Sequence, residues 1–201
     1  MIAIVDYGMG NLKSVTNAFR KLDAPITITR DPAVIRDAAA IVLPGVGAFG
    51  KCMQNLRSYG LIELLQEVIA SGKRYLGICL GMQILLESSE EAPGVRGLGV
   101  IRGGVVRFSR NLKVPHMGWN SVNVVKPLAI LEGIPTGSHF YFVHSYYPEP
   151  AEEVAATTTD YGLQFVSALE KDNVFACQFH PEKSQRVGLQ LLRNFITLCD
   201  S

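Results

Sequence analysis

The sequence has no excess of charge of either sign. Its 201 residues carry 19 basic and 18 acidic side chains, a formal net charge of +1. Such a balance provides no field for gathering nucleic acid or an anionic membrane surface, and neither partner is expected. No apolar run approaches the roughly 18 residues needed to cross a bilayer. The opening MIAIVDYGMGN has no basic stretch leading into a long apolar one, so no secretory signal is expected. Cysteine is sparse and unpatterned: Cys52, Cys79, Cys177 and Cys199 include no C-x-x-C pair and no Cys/His cluster of the zinc kind. No metal and no cofactor is expected, and four thiols without a secretion signal read as reduced and cytoplasmic. Repeats, low-complexity tracts and linkers are also missing, so residues 1–201 read as a single domain.

What is present is an ordinary globular composition, 48% hydrophobic and 18% charged. In the first half, apolar runs alternate with helical patterns. IAIVDY (2–7) is strand-like and stops at Gly8. Leu12, Val15, Phe19 and Leu22 then recur at helical spacing behind Asn11, a candidate N-cap. ITIT (26–29) and AAIVLP (39–44) are further strands, with Asp31-Pro32 opening a short helix between them. Leu61, Leu64, Leu65, Val68 and Ile69 form a helical face closed by Gly72, RYLGI (74–78) is a fourth strand, and residues 80–91 are expected to be helical. Alternation of this kind implies parallel pairing in a layered α/β fold. The second half is mostly strand-like, with a hairpin expected at EKDNV (170–174). It ends in a helix carrying Val187, Leu191, Phe195 and Leu198, for which Ser184 is the expected N-cap.

Within RYLGICLGMQ, Cys79 stands between Gly77 and Gly81 where a strand gives way to a helix. Strand, G-x-C-x-G, helix is the thiol form of the nucleophile elbow. The tight turn exposes the side chain, small neighbours admit close packing, and the following helix directs free N–H groups at the sulfur. An unperturbed thiol titrates near pH 8.5, so such help matters. The N–H of Leu80, just after the nucleophile, is placed to receive an oxyanion. The other three cysteines lack this setting and read as packing residues.

A thiol nucleophile needs a base. Of His116, His139, His144 and His180, the last is distinctive: CQFHPEKS puts it at a strand end before Pro181, which favours extended geometry. In an extended segment Glu182 points the same way as His180 and can orient its ring. GVGAFG (45–50) matches the dinucleotide fingerprint in its letters. However, it follows the third strand, that strand ends in Pro44, and no acidic residue closes a following strand. Gly45 and Gly47 are better suited to turn backbone N–H groups toward developing negative charge. Losing one such donor typically costs about 2.7–4 kcal/mol of barrier.

PGVGAFG, GICLGMQ and FHPEKS, in that order, resemble the three motifs of class-I (triad-type) glutamine amidotransferases, and the resemblance spans nearly the whole chain. It implies a flavodoxin-like three-layer αβα fold, whose mixed, largely parallel central sheet is extended by antiparallel strands in the second half. It also implies hydrolysis of L-glutamine by a Cys79–His180–Glu182 triad, with Leu80 and Val46 N–H groups as the oxyanion hole. Gly45, Gly47, Gln83, Glu91, Ser145 and Tyr146 match glutamine-binding positions. IVDYGMGNL, PHMGWN (115–120) and FYFVHSYY (140–147) are most similar to the branch that passes ammonia to a separate (β/α)8-barrel cyclase in histidine biosynthesis, as one half of a heterodimer. Met117, Trp119 and Lys183 are the candidates for the partner-facing surface. The alternatives are a glutaminase serving pyridoxal phosphate, purine, tryptophan or folate synthesis, a cysteine hydrolase acting on another amide, or a non-catalytic dinucleotide-binding module.

Overall fold

The computed structural model describes residues 1–199. Twelve strands are found among them: β1 (Ile2–Val5), β2 (Ile26–Thr29), β3 (Ala40–Gly45), β4 (Arg74–Cys79), β5 (Ser88–Ser89), β6 (Gly103–Arg107), β7 (His116–Val124), β8 (Ser138–His144), β9 (Tyr146–Pro150), β10 (Ala155–Asp160), β11 (Gln164–Lys171) and β12 (Val174–Cys177). The α-helices are α1 (Leu12–Arg20), α2 (Pro32–Asp37), α3 (Phe49–Ser58), α4 (Ile62–Ala70), α5 (Leu80–Gln83) and α6 (Gln185–Cys199). Nine strands form the main sheet in the order β2-β1-β3-β4-β12-β11-β10-β7-β8. Pairing is parallel from β2 through β12 and antiparallel from there to β8. Strands β5, β6 and β9 make a second, three-stranded sheet.

Strand periodicity explains the layers. Ile4, Val42, Leu76, Ile78 and Phe175 point to one face, against Val15 and Phe19 of α1 and Leu191, Leu192 and Phe195 of α6. Their sequence neighbours Val5, Ile41, Leu43, Tyr75 and Val174 point to the other, against Phe49, Cys52, Met53 and Leu56 of α3 and Leu64, Leu65 and Val68 of α4. The central strands are therefore buried on both faces, which is why they read as unbroken apolar runs. Asn11 and Asp31 cap α1 and α2 through their side chains, and Asp172–Asn173 joins β11 to β12.

One local expectation is corrected and one is refined. The helix expected over 80–91 ends at Gln83. The carbonyls of Ile84, Leu85 and Glu87 accept from Leu98, Ile101 and Gly97 instead, so a loop takes the bonds that would have continued the helix. Ser184 holds the N-cap position of α6, its carbonyl accepting from Gly188 N at 3.1 Å, but its hydroxyl donates to His180 O at 2.6 Å and accepts from Tyr141 N at 3.0 Å, fastening β8 to the segment after β12.

Candidate active site

Cys79 ends β4 with φ 54° and ψ −104°, a positive φ unusual for any residue with a Cβ. Packing enforces the turn. A Cβ on Gly81 would lie 1.9 Å from Leu43 O, and one on Gly77 would lie 2.6 Å from Gly81 O. The elbow thus sits directly on β3, and Gly45 is the register partner of Cys79.

The sulfur is buried, and Gln178 Nε2 donates to it at 3.4 Å. Val143 O lies 4.0 Å away. His180 follows β12, with its backbone N–H bonded to Tyr141 O at 2.8 Å. Its Nδ1 is 2.8 Å from Glu182 Oε1, and each of those side chains is 1% exposed. Glu182 reaches the ring from a 3-10 turn, Pro181–Lys183, not from an extended segment. Pro181 starts that turn, and only His180 before it is extended. Burial disfavours a charged ring here, but the Cys79 sulfur and then Glu182 outweigh it, raising the His180 pKa to about 10. Nε2 is buried and makes no well-formed hydrogen bond, although it interacts with the sulfur.

A cleft of about 220 Å³ opens above Cys79, lined by Val46, Gly47, Leu80, Gln83, Glu91, Ser145 and Tyr146 among others. Gly45 lies beneath, fully packed at the end of β3. Gly47 is exposed with φ 113°. Gln83 Nε2 donates to Tyr146 O and to Gln178 Oε1, both at 3.0 Å. Glu91 accepts from Phe49 N at 2.7 Å, so a carboxylate already occupies the start of α3. A dinucleotide pyrophosphate on GVGAFG would need that same helix end and would meet a negative charge there. Among the described residues no group of His, Cys, Asp and Glu could hold a metal ion.

Met117 and Trp119 are not part of the cleft. They lie on the outer face of β7 and are 62% and 47% exposed. Trp119 and the Lys183 ammonium both approach Tyr141, at 6.2 Å and 5.6 Å from its ring. Cys52 and Cys177 pack in the core, where burial pushes the Cys52 thiol up to about 12 and the Cys177 thiol well above its usual value.

Four residues escaped the sequence reading. Gln178 and Tyr141 look like ordinary strand residues in ACQF and FYFV. His116 and His144 lack an acidic neighbour in sequence, yet pair with one another at 2.9 Å.

The family profile for glutamine amidotransferase class-I matches residues 3–199. The chain is 53% identical over 198 residues to the "Imidazole glycerol phosphate synthase subunit HisH" of Methanothermobacter thermautotrophicus, covering 98% of both chains. It is 51% identical over 195 residues to the protein of the same name from Moorella thermoacetica, covering 96% of this chain and 93% of the other. In fold it superposes on a solved glutamine amidotransferase with TM-score 0.79 at 19% identity, over the full length of both.

Proposed function

The chain belongs to the class-I glutamine amidotransferase family, and on that premise we propose that it is the glutaminase subunit of an imidazole glycerol phosphate synthase, acting in histidine biosynthesis. The observation that carries the reading is the convergence, in a chain half identical to HisH proteins, of a strained Cys79 on a cleft wall with a buried His180–Glu182 pair whose ring interacts with its sulfur.

The Cys79 sulfur attacks the side-chain amide carbon of L-glutamine. Negative charge develops on the amide oxygen, where the N–H groups of Leu80 and Val46 receive it. Gly45, without a Cβ, gives the loop freedom to turn the Gly45–Val46 peptide, which carries the Val46 N–H. His180 is held as the acid: its raised pKa keeps a proton on the ring, which passes to the departing nitrogen as the C–N bond breaks. Ammonia and a glutamyl thioester result. Water, deprotonated by the now neutral His180, then attacks the thioester, releasing glutamate and restoring the thiolate beside a protonated ring. Glu182 holds the ring through Nδ1 and balances its charge throughout. Glu91 in the cleft wall suits the substrate's α-ammonium, while Gln83, Ser145 and Tyr146 shape the cleft around the substrate and Gly45 supports its floor from beneath.

Ammonia released into water is mostly protonated and no longer nucleophilic, so a dry path into a second subunit preserves it. That subunit is a (β/α)8-barrel cyclase, joined as a heterodimer through the surface bearing Met117, Trp119 and Lys183. The protein is one domain and works in the cytoplasm. Among its described residues no helix is long and apolar enough to cross a membrane.

The test is ammonia release from glutamine by the chain alone, with the barrel subunit, and with that subunit plus its ribulosyl nucleotide ligand. A rise of at least an order of magnitude in the third condition is expected. A barrel that neither binds nor stimulates the chain would assign it to another amidotransferase.

A further inference from the structure

Gln178 is fully buried and touches the sulfur. The direction of its amide is fixed by a chain of hydrogen bonds that admits one polarity. Tyr146 O can only accept, and it accepts from Gln83 Nε2 at 3.0 Å and from His144 Nδ1 at 2.8 Å. His144 therefore carries its proton on Nδ1 and a lone pair on Nε2. His116 Nδ1, 2.9 Å away, must donate to that lone pair. His116 Nε2 then accepts from Asn120 Nδ2 at 3.2 Å, and the same nitrogen donates to Asp160 O at 2.8 Å. Asn120 Oδ1 accepts from Ser121 N, which fixes the outer end. At the inner end Gln83 spends its second N–H on Gln178 Oε1, leaving Gln178 Nε2 to face Cys79. Burial keeps both rings neutral, lowering His116 to about 4 and His144 to about 3, and the Gln178 end is independent of them, because Tyr146 O accepts from Gln83 whatever the rings carry.

From this we propose that Gln178 is a further member of the catalytic site, donating its amide N–H to the Cys79 sulfur and so holding the sulfur in place as an anion. Its catalytic meaning rests on the glutaminase reading above, but its test does not. The donor is worth more to thiolate than to thiol, because hydrogen bonds to an ion are about twice as strong as neutral ones. The other titratable groups that interact with the sulfur are His180 after β12, Cys177 within it and Tyr7 after β1. Of these only His180 can bring a positive charge. Gln178 supplies a donor that no proton can remove.

The experiment is the rate at which iodoacetamide alkylates Cys79, followed by peptide mass mapping on the full chain. Gln178→Met keeps the volume and removes the donor. It is expected to slow alkylation at pH 7 about tenfold and to leave the rate at pH 10, where thiols ionise without help, within about twofold of the parent. Gln178→Glu, with a carboxylate facing the sulfur, is expected to slow the pH 7 rate further. Equal rates at pH 7, or equal slowing at both pH values, would overturn the proposal, the second by pointing to packing alone. The unaltered protein gives an independent readout that needs no folded variant. The Gln178 side-chain amide protons are expected to shift in NMR as the pH is raised through ionisation of the thiol, and a shift of the same size in Cys79→Ala would overturn the assignment. No glutamine enters either measurement, so a chain without glutaminase activity would refute the functional reading separately.

Discussion

Gly45 stands directly opposite Cys79 in the parallel register of β3 and β4. Two motifs far apart in sequence, one supplying a nucleophile and one a flexible loop, are thereby fixed side by side by backbone pairing alone. The contact leaves no room for side chains. Gly81→Ala would drive a Cβ to 1.9 Å from Leu43 O, and that backbone cannot yield. Urea unfolding is expected to give a loss of about 3 kcal/mol or more, or no folded protein. Gly104→Ala, whose Cβ would meet only Ser88 at 3.4 Å, is expected to stay within about 1 kcal/mol of the parent.

Removing the nucleophile should separate chemistry from fold. Cys79→Ala is expected to lower glutamine hydrolysis by about a thousandfold or more, since no second cysteine shares its setting. The thermal midpoint is expected to fall by no more than a few degrees, because the lost sulfur borders a cleft. Both are read from one preparation, by ammonia release and by thermal melting.

The histidines predict a stability maximum near pH 6.5. His180 has a raised folded pKa, about 10, so the unfolded chain loses its proton first as pH rises. Its stabilising effect is complete below about 6.5 and is lost between there and about 10. His116 and His144 act in the opposite sense. Their folded pKa values are lowered to about 4 and about 3, so stability falls as the pH drops from about 6.5 toward those values. Melting temperature against pH should decline on both sides. In Glu182→Gln, which removes a group that raises the His180 pKa, the alkaline decline should be weaker.

The outer face of β7 should matter to a partner and not to the fold. Met117 and Trp119 are large, apolar and exposed, and Trp119 rests against Tyr141 rather than in the core. Trp119→Ala is expected to weaken binding of the barrel subunit about thirtyfold, as loss of an interface anchor does, with an unchanged melting temperature for the isolated chain. Calorimetric titration measures the first and thermal melting the second.

The parallel half of the sheet was legible in sequence because strands buried on both faces leave continuous apolar runs, as in IAIV and AIVL. Cys79, His180 and Glu182 were legible because the glycines and proline around them mark special backbone. Residues 84–91 were misjudged because Ile84, Leu85 and Leu86 are apolar at a spacing a helix would tolerate, while the loop at 97–101 that competes for their carbonyls gives no local sign. Pairing of β6 with β9 and β5 was hidden for the same reason: it depends on contacts between distant segments. Gln178 was invisible because its meaning lies in Cys79 and Gln83, each about a hundred residues away.

The most direct test is covalent. A chloroketone analogue of glutamine, offered to the complex with the barrel subunit and its ligand, should place one adduct on the chain, at Cys79, and free glutamine should protect against it. An adduct on Cys52, Cys177 or Cys199 in its place, or no adduct in a complex that still releases ammonia, would contradict the account.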